Sequence, residues 1–562
     1  MPPPSIARNI LRRAGYANLL IQLIRKTYGE CPEFSVQGHP LANLDVPDPT
    51  AHPVAIARNL LLIALSLQIR EEVPPSSPKN MALSHSTRES SHRYFNAATR
   101  NVTSKDQLVT SPEGLETLML EGLYQITSGN LQQGWLTFRR AIGIAQLIGL
   151  ASESQECAES DWNSSDTFTV STSSSLWLRL NYSDRVLSLI MGLPLATPGD
   201  GFASPEVLAT DTPMGRLERM HTVIMGHLIA RNQRIAHAGN TQHALRAEAK
   251  ETQRIDEELF QVSAQLPRRW WLSPHLESLM PQAPDSMNET LRLLAQMNQA
   301  HLLLALHVPY AIHAFSKGPQ LDCSYSLQNT IQASRDLLSR FVLYRKSNRM
   351  PVCCHVLDFK AFAASASLLL AHIDGHHLGH RNTLRHHRQE DLGVVERTVN
   401  NIKALEKLSP ISQGKAQVRI LEALIDIEAR AAEGLPYSIQ IDSRWFSGEC
   451  SVLVQGQPFE FGAPFFGKVR IHSLTTAEPA ALIDLELSIG AFEMMPSTMN
   501  RGPMGGLLPQ KQLPLGYPGL PISENLSMVE AVSASCQGSN GWPVSYADCE
   551  GSNAVDESAM NF

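Results

Sequence analysis

The chain has 562 residues, 43% of them hydrophobic and 18% charged, which is ordinary globular composition with ample length for a large core. Its 47 basic and 54 acidic residues give a formal charge of −7, which argues against the chain as a whole being a strong non-specific nucleic-acid binder and leaves only a local basic patch open. Aromatic content of 6% and few continuous β-branched runs favour an α-rich fold.

The chain opens on MPPPSIARNILRRAG, where Asn9, Arg12 and Arg13 interrupt any signal-peptide core. A helix is predicted over Ile6–Lys26, read either as a docking helix or as a linker, dimerising or import segment with Arg12, Arg13, Arg25 and Lys26 on it. A second helix is predicted over His52–Gln68, and Pro74–Arg88, rich in Pro, Ser and Asn, reads as a loop. The longest apolar runs, Leu60–Leu67 and Leu302–Val308, fall short of a membrane span, so a soluble, non-secreted protein is expected.

Two helices follow between Ser111 and Leu150. Leu115, Leu118, Met119, Gly122 and Leu123 form an apolar stripe at helical spacing. Ser111, Pro112 and Glu113 supply an N-cap, a proline at the first helical position and an acid at the positive end of the dipole. The turn Thr127-Ser128-Gly129-Asn130 separates this helix from a second stripe of Trp135, Phe138, Ile142, Ala145 and Ile148, closed by Gly149. The two make an antiparallel pair, with no recurrence at a fixed period that would indicate an array. Gln155–Ser175 is polar and reads as an insertion. Leu176, Trp177, Leu180, Leu187 and Met191 then give one more helix, stopped by Gly192-Leu193-Pro194. Asp184-Arg185 within it reads as a structural ion pair or polar contact between helices, the alternative being a binding site, and Trp135 reads as framework.

Asp200–Pro213 is a turn-rich break, after which Met214–Gly434 is mostly helical, interrupted near Pro274–Asp285 and Asp374–Glu390. Beyond Leu435 the segments IQIDSRWF, CSVLVQ and GKVRIHSL alternate apolar and polar residues and read as short strands. From about Pro496 the composition is Gly, Pro, Ser and Met, acidic beyond Lys511 with scattered aromatics, and reads as a disordered acidic tail, either an activation segment or inert.

The order of these segments carries a resemblance. EGLY…GN…W…RRAI.IAQ..GL followed by LW…..DR.LSL..GLPL is similar to the middle homology region of fungal zinc-binuclear-cluster (Zn2Cys6) transcription factors. His52–Gln68 upstream, and Leu266–Trp271, His301–Tyr310, Ser334–Arg345, Cys353–Leu370 and Gln457–Ile471 downstream, resemble further segments of the same family in the same order, from about 50 to 470. At one point the chain departs: where many members carry His-Arg, Leu150 runs into Ala151-Ser152-Glu153, so no ligand contact carries over there. The resemblance implies an all-α fold, a large irregular helical bundle or solenoid-like regulatory domain, with a few short strands near 437–475 and the disordered tail. The implied organisation is an N-terminal helix or linker (1–35), the regulatory domain (36–435), a small mixed extension (436–495) and the tail (496–562).

The family's zinc cluster needs six thiolates close together. The eight cysteines here, at 31, 157, 323, 353, 354, 450, 536 and 549, contain no C-x2-C pair, so the module is expected to be absent and the thiols free. No zinc and no other cofactor is therefore expected. His372 and His376, four apart, could share a metal on a helix, but with His377, His380, His386 and His387 they match no known metal-site spacing, and the segment, broken by Gly375, Gly379 and Asn382, reads as a solvated loop. His307 reads as a core histidine, and the adjacent Cys353-Cys354 as buried and unreactive. Enzyme signatures are missing: there is no G-x-S-x-G, H-E-x-x-H, P-loop or dinucleotide-binding glycine motif in a strand–helix context, the glycines of Gly502–Gly506 lacking one. No catalytic, cofactor-binding or metal residue is assigned, and the chain is expected not to be an enzyme.

The implied function is nuclear regulation of RNA polymerase II genes for a metabolic or secondary-metabolite set, with other transcription factors, co-regulators or a second copy as partners and no membrane. Two alternatives stay open within that class: a co-regulator without DNA binding of its own, or a zinc-cluster factor whose cysteine module lies upstream. An enzyme or small-molecule-binding protein on the same helices is the different-class reading, without an acid/base or nucleophile set to support it. The sequence also makes a prediction about DNA. In a gel shift at physiological salt this polypeptide alone should show no sequence-selective retention of a duplex, and tight selective binding would contradict the reading.

Overall fold

A computed structural model describes residues 2–12, 21, 24, 26–28, 46–68, 78–150, 173–274, 284–317, 322–347, 355–408, 412–442, 459–463 and 467–474. Among them are sixteen α-helices and one three-stranded sheet. The predicted strand CSVLVQ, the cysteines other than Cys323, the stretch 151–172 and the tail lie outside the described residues.

Helix α1 (Pro4–Arg12) takes up the first part of the predicted Ile6–Lys26; Ile21 and Ile24 are also helical, Lys26 sits in a bend, and the rest of that prediction lies outside the described residues. Helix α2 (Pro53–Gln68) is almost wholly buried through Leu60–Ser66 and packs on α3 (Pro78–Ala98). The expected loop Pro74–Arg88 is thus largely helix: Pro78 occupies the first helical position, where its missing N–H costs nothing, so the proline starts the helix instead of breaking it. A π-helical turn (Thr99–Thr103) and the one-turn α4 (Asp106–Val109) lead into the antiparallel pair α5 (Pro112–Thr127) and α6 (Leu131–Leu147).

Ser111 is extended and accepts a hydrogen bond from the Gly114 amide, with Pro112 in the first turn, as the sequence predicts. Gly129 and Gly192 take φ of 83° and 72°, the left-handed conformation that ends α5 and α7 (Ser173–Met191) without strain only for glycine. The break at Asp200–Pro213 contains a 3-10 turn (Gly201–Ala203) and the short α8 (Pro205–Thr210). Next come α9 (Pro213–His237), α10 (Gln242–Ala247) and α11 (Ala249–Ala264).

The long α12 (Pro284–Lys317) then pairs with α13 (Ser324–Ser347), which packs on α14 (His355–Gly375). Helices α15 (Arg388–Leu408) and α16 (Ser412–Ala432) complete the helical body. By length and composition His355–Arg381 is apolar enough to cross a membrane, longer than the runs noted in the sequence, yet 89% of that window is buried inside the fold. It is a core helix whose Ala and Ser residues allow close packing.

Strands β1 (Tyr437–Asp442), β2 (Phe459–Ala463) and β3 (Gly467–Ser473) form an antiparallel sheet with β3 central. Its inward residues Tyr437, Ile439, Phe461, Val469 and Ile471 join the core of the second half.

Two apolar clusters account for most of the interior. The first joins α2, α5, α6, α7, α9 and α11, and the second α13 to α16 with the sheet. Helix α12 serves both: Leu291, Ala295, Leu302 and Leu306 face the first, and Leu293, Met297, Ala300 and Leu304 the second.

One close approach is tested by a single methyl. A Cβ at Gly114 would sit 2.3 Å from the Val109 carbonyl oxygen, which is backbone and cannot swing aside. Gly114→Ala gains roughly 0.5–1 kcal/mol of helix propensity but meets an overpacking cost of about 1–3 kcal/mol. The expected result is a lower Tm; an unchanged or higher Tm would show that α4 yields freely.

Candidate functional site

The largest fully buried side chains are arginines: Arg179, Arg185 and Arg231. Arg179, on α7, bonds the Lys26 carbonyl and pairs with Glu218 of α9 at 2.5 Å. Burial pushes the Glu218 carboxyl up, offset in part by the Arg179 charge and by the Tyr28 amide, which donates at 2.8 Å.

Asp184 and Arg185 are both 1% exposed, and they do not pair with each other. Asp184 meets Arg139 of α6 at 2.6 Å and accepts from the Ala196 amide at 3.0 Å. Arg139 also bonds the Pro194 carbonyl and lies 4.5 Å over the Trp135 ring, whose indole N–H donates to Ser188 at 2.9 Å. Arg185 donates to Asp200 and to the carbonyls of Thr222 and Gly199 at 2.8–2.9 Å. A Cβ at Gly226 would come within 2.8 Å of this guanidinium, so α9 leaves room for it there.

Asn181, Asp184, Arg185 and Ser188 recur at helical spacing as a polar stripe on α7. Asn181 takes the Thr197 hydroxyl and Ser188 donates to the Pro194 carbonyl, so the stripe straps residues 194–200 back along the helix. Sequence reasoning recorded the apolar face of this helix and missed the stripe, although its spacing is legible.

Arg231 answers a different defect. Pro309 stands inside α12 and offers no N–H to the Ala305 carbonyl. The Arg231 guanidinium spans this point, 2.9 Å from the Leu306 oxygen and 3.4 Å from the Ala305 oxygen, and bonds Thr252 of α11 at 3.0 Å. Burial lowers its pKa to about 10, so it stays charged at neutral pH. Tyr310, next in the chain, donates to the Leu245 carbonyl at 3.0 Å and closes the same corner.

The histidine segment is only partly a solvated loop. His380, His386 and His387 are exposed. His372, in contrast, is 1% exposed on α14 and lies 2.9 Å from Asp391, which Arg335 grips with two bonds of 2.8 Å. His376 lies 2.7 Å from Glu428, clamped in turn by Arg388, and His377 donates to the Tyr437 carbonyl at 2.6 Å. Burial pushes both carboxyls up, but the His and Arg bonds outweigh it and hold them below the ordinary range. These histidines staple helices and sheet together because His372 lies in the last turn of α14, which runs to Gly375, and His376 and His377 open the 3-10 turn (His376–Arg381) that follows it directly. No group of three or more His, Cys, Asp or Glu among the described residues is placed to hold a metal ion.

His307 is buried between Ser326 (3.2 Å) and Asp256 (3.4 Å), and Tyr325 meets its ring edge-on. Cys323 is buried, its thiol pushed up by burial and by Asp322. A solvent-open groove of about 520 Å³ runs beside His92, Arg93 and Arg100, lined from α3 and the π turn alone. Its lining residues all come from one continuous stretch of chain, Glu89 to Asn101. Among the described residues, then, the buried polar groups form a framework of strapped turns and stapled helices, with no nucleophile–base pair facing a shared cavity.

No family model matches the chain, and no solved structure matches it. Its similarity is to fungal proteins named as transcription factors or as regulators of biosynthesis. It is 33% identical over 441 residues to the dehydrocurvularin biosynthesis regulator of Alternaria cinerariae, covering 78% of this chain and 56% of that protein. The regulator of the same name from Aspergillus terreus is 32% identical over 453 residues, 78% of this chain and 60% of its own length. Transcription factor sdnS of Sordaria araneosa is 30% identical over 395 residues, 70% of this chain and 49% of its own length. The chain thus spans about half to three-fifths of these relatives.

The corner at Pro309 gives a two-residue test. Arg231→Met should cost about 1–3 kcal/mol by leaving buried carbonyls unpaired. In a Pro309→Ala background, where an N–H again faces Ala305, that cost should fall by about 1 kcal/mol. Equal costs in both backgrounds, read from denaturant unfolding, would separate Arg231 from the proline.

Proposed function

We propose that this chain is the helical regulatory body of a fungal transcription regulator, built on the middle homology domain of the zinc-cluster family and acting in the nucleus on RNA polymerase II genes of a secondary-metabolite set. The observation that carries this reading is the similarity to named biosynthesis regulators, which takes in more than three-quarters of the chain. The framework fits it: buried guanidiniums, caps and staples hold a large helical scaffold in one arrangement, as a protein that presents surfaces to partners requires. The polar groups used in those contacts are not free for acid–base work, which weighs against the enzyme reading.

Within this class the chain acts without zinc or another cofactor, and its partners are DNA-bound regulators, co-regulators or a second copy. The cysteine spacing favours DNA contact through a partner or through a separate module.

Deleting the gene and profiling transcripts tests the proposal. Coordinated loss or gain of expression across a metabolic gene set is the expected outcome. Unchanged transcripts under conditions where the protein is made would overturn it.

A further inference from the structure

One buried charge takes no part in the framework. Lys360, on α14, is 3% exposed, yet among the described residues its Nζ donates only to the Asn298 amide oxygen of α12, at 2.9 Å. No carboxylate among the described residues pairs with it, and burial alone drives its pKa down to about 8. Every other fully buried cation described above has carbonyls or a carboxylate around it.

The surroundings of Lys360 are ordered and polar. The Asn298 amide N–H donates to His221 Nδ1 (3.2 Å), His221 Nε2 donates to Gln299 (2.6 Å), and Gln299 donates to the Leu259 carbonyl (3.1 Å). The chain of bonds runs one way and is consistent with a neutral His221, whose pKa burial lowers to about 4. His301, one turn from Asn298 and 6% exposed, is within reach of the lysine's charge, and burial followed by that charge holds it neutral. Neither histidine neutralises the ammonium.

The location is also specific. Asn298 stands on α12, whose apolar residues enter both clusters, and Lys360 on α14, next in the chain to Phe359, which packs against both. An unpaired ammonium in such a seam is costly, and proteins normally pair it or replace it by an apolar side chain. A few convergent polar groups between helices, walled by apolar side chains, are what a small-molecule site offers.

We propose that Lys360 anchors the carboxylate of a small amphipathic organic acid, bound in the seam between α12 and α14 with Asn298 and His301 beside the acid group. The acid supplies the missing counter-charge, and its apolar part contacts both clusters. Binding would then couple the two halves of the core, giving the regulatory body an effector; this consequence rests on the reading of the chain as a regulator, but the binding does not.

Calorimetric titration of the full chain with octanoate, with octanol as the uncharged control, tests it. Octanoate should bind at one site and raise the Tm, and octanol should do neither. Lys360→Met should weaken octanoate at least tenfold. Asn298→Asp, which gives the lysine an internal carboxylate, should do the same while raising the Tm of the free protein, and it decides the matter if the methionine variant fails to fold. Absence of octanoate binding, equal binding of octanol, or undiminished binding to a folded variant would each overturn the proposal. Because the readout is binding, its failure is distinguishable from a failure of the transcript experiment.

Discussion

The fold depends on guanidinium groups placed against backbone carbonyls where the chain is irregular. A helical protein of this size must turn, stop and kink many times, and each irregularity leaves carbonyl oxygens without a helical partner. Arg185 reaches the carbonyls of the strap that follows α7, Arg179 the carbonyl of Lys26, and Arg231 those beside Pro309. Arginine suits the task because its planar fork offers five donors and it remains charged where lysine would not. Glu218 and Asp200 offset the burial of two of these charges. The contrast with Lys360 is instructive: a single-point cation bonded to one amide oxygen repairs no backbone defect.

A different solution closes the second half. There the helices are regular, and the polar contacts join one helix to another, through His372–Asp391–Arg335 and His376–Glu428–Arg388. Asp391 and Glu428 each accept from two directions, so neither is left as an isolated buried charge. The staples lie around α14, the most apolar long helix, whose own contacts are non-directional. Directional bonds at its end set the register that apolar packing alone leaves loose.

Much of the scaffold was legible in the sequence, and the residues show why. Ser111, Pro112, Gly129 and Gly192 act through local backbone chemistry, so reading them needs only their neighbours in the chain. Apolar stripes such as Leu115–Leu123 are equally local. Pro78 was misread because proline begins helices as readily as it ends them, and the composition around it favoured a loop. The roles of Asp184, Arg185 and His372 were out of reach for another reason: their partners lie between 12 and 45 positions away, on elements whose approach no local pattern specifies. The stripe on α7 was visible as spacing, but spacing alone does not say that the chain folds back onto it.

The position of α12 has a consequence for the order of events during synthesis. The first apolar cluster includes Leu291, Leu302 and Leu306, so it stays open until more than half of the chain has left the ribosome. Helices made early, including the apolar α2, therefore wait with their inner faces uncovered while the ribosome extends the chain by hundreds of residues, which at about 5–20 residues per second is a long exposure. The helix that later joins the two halves also sets the moment at which the earlier one is able to close.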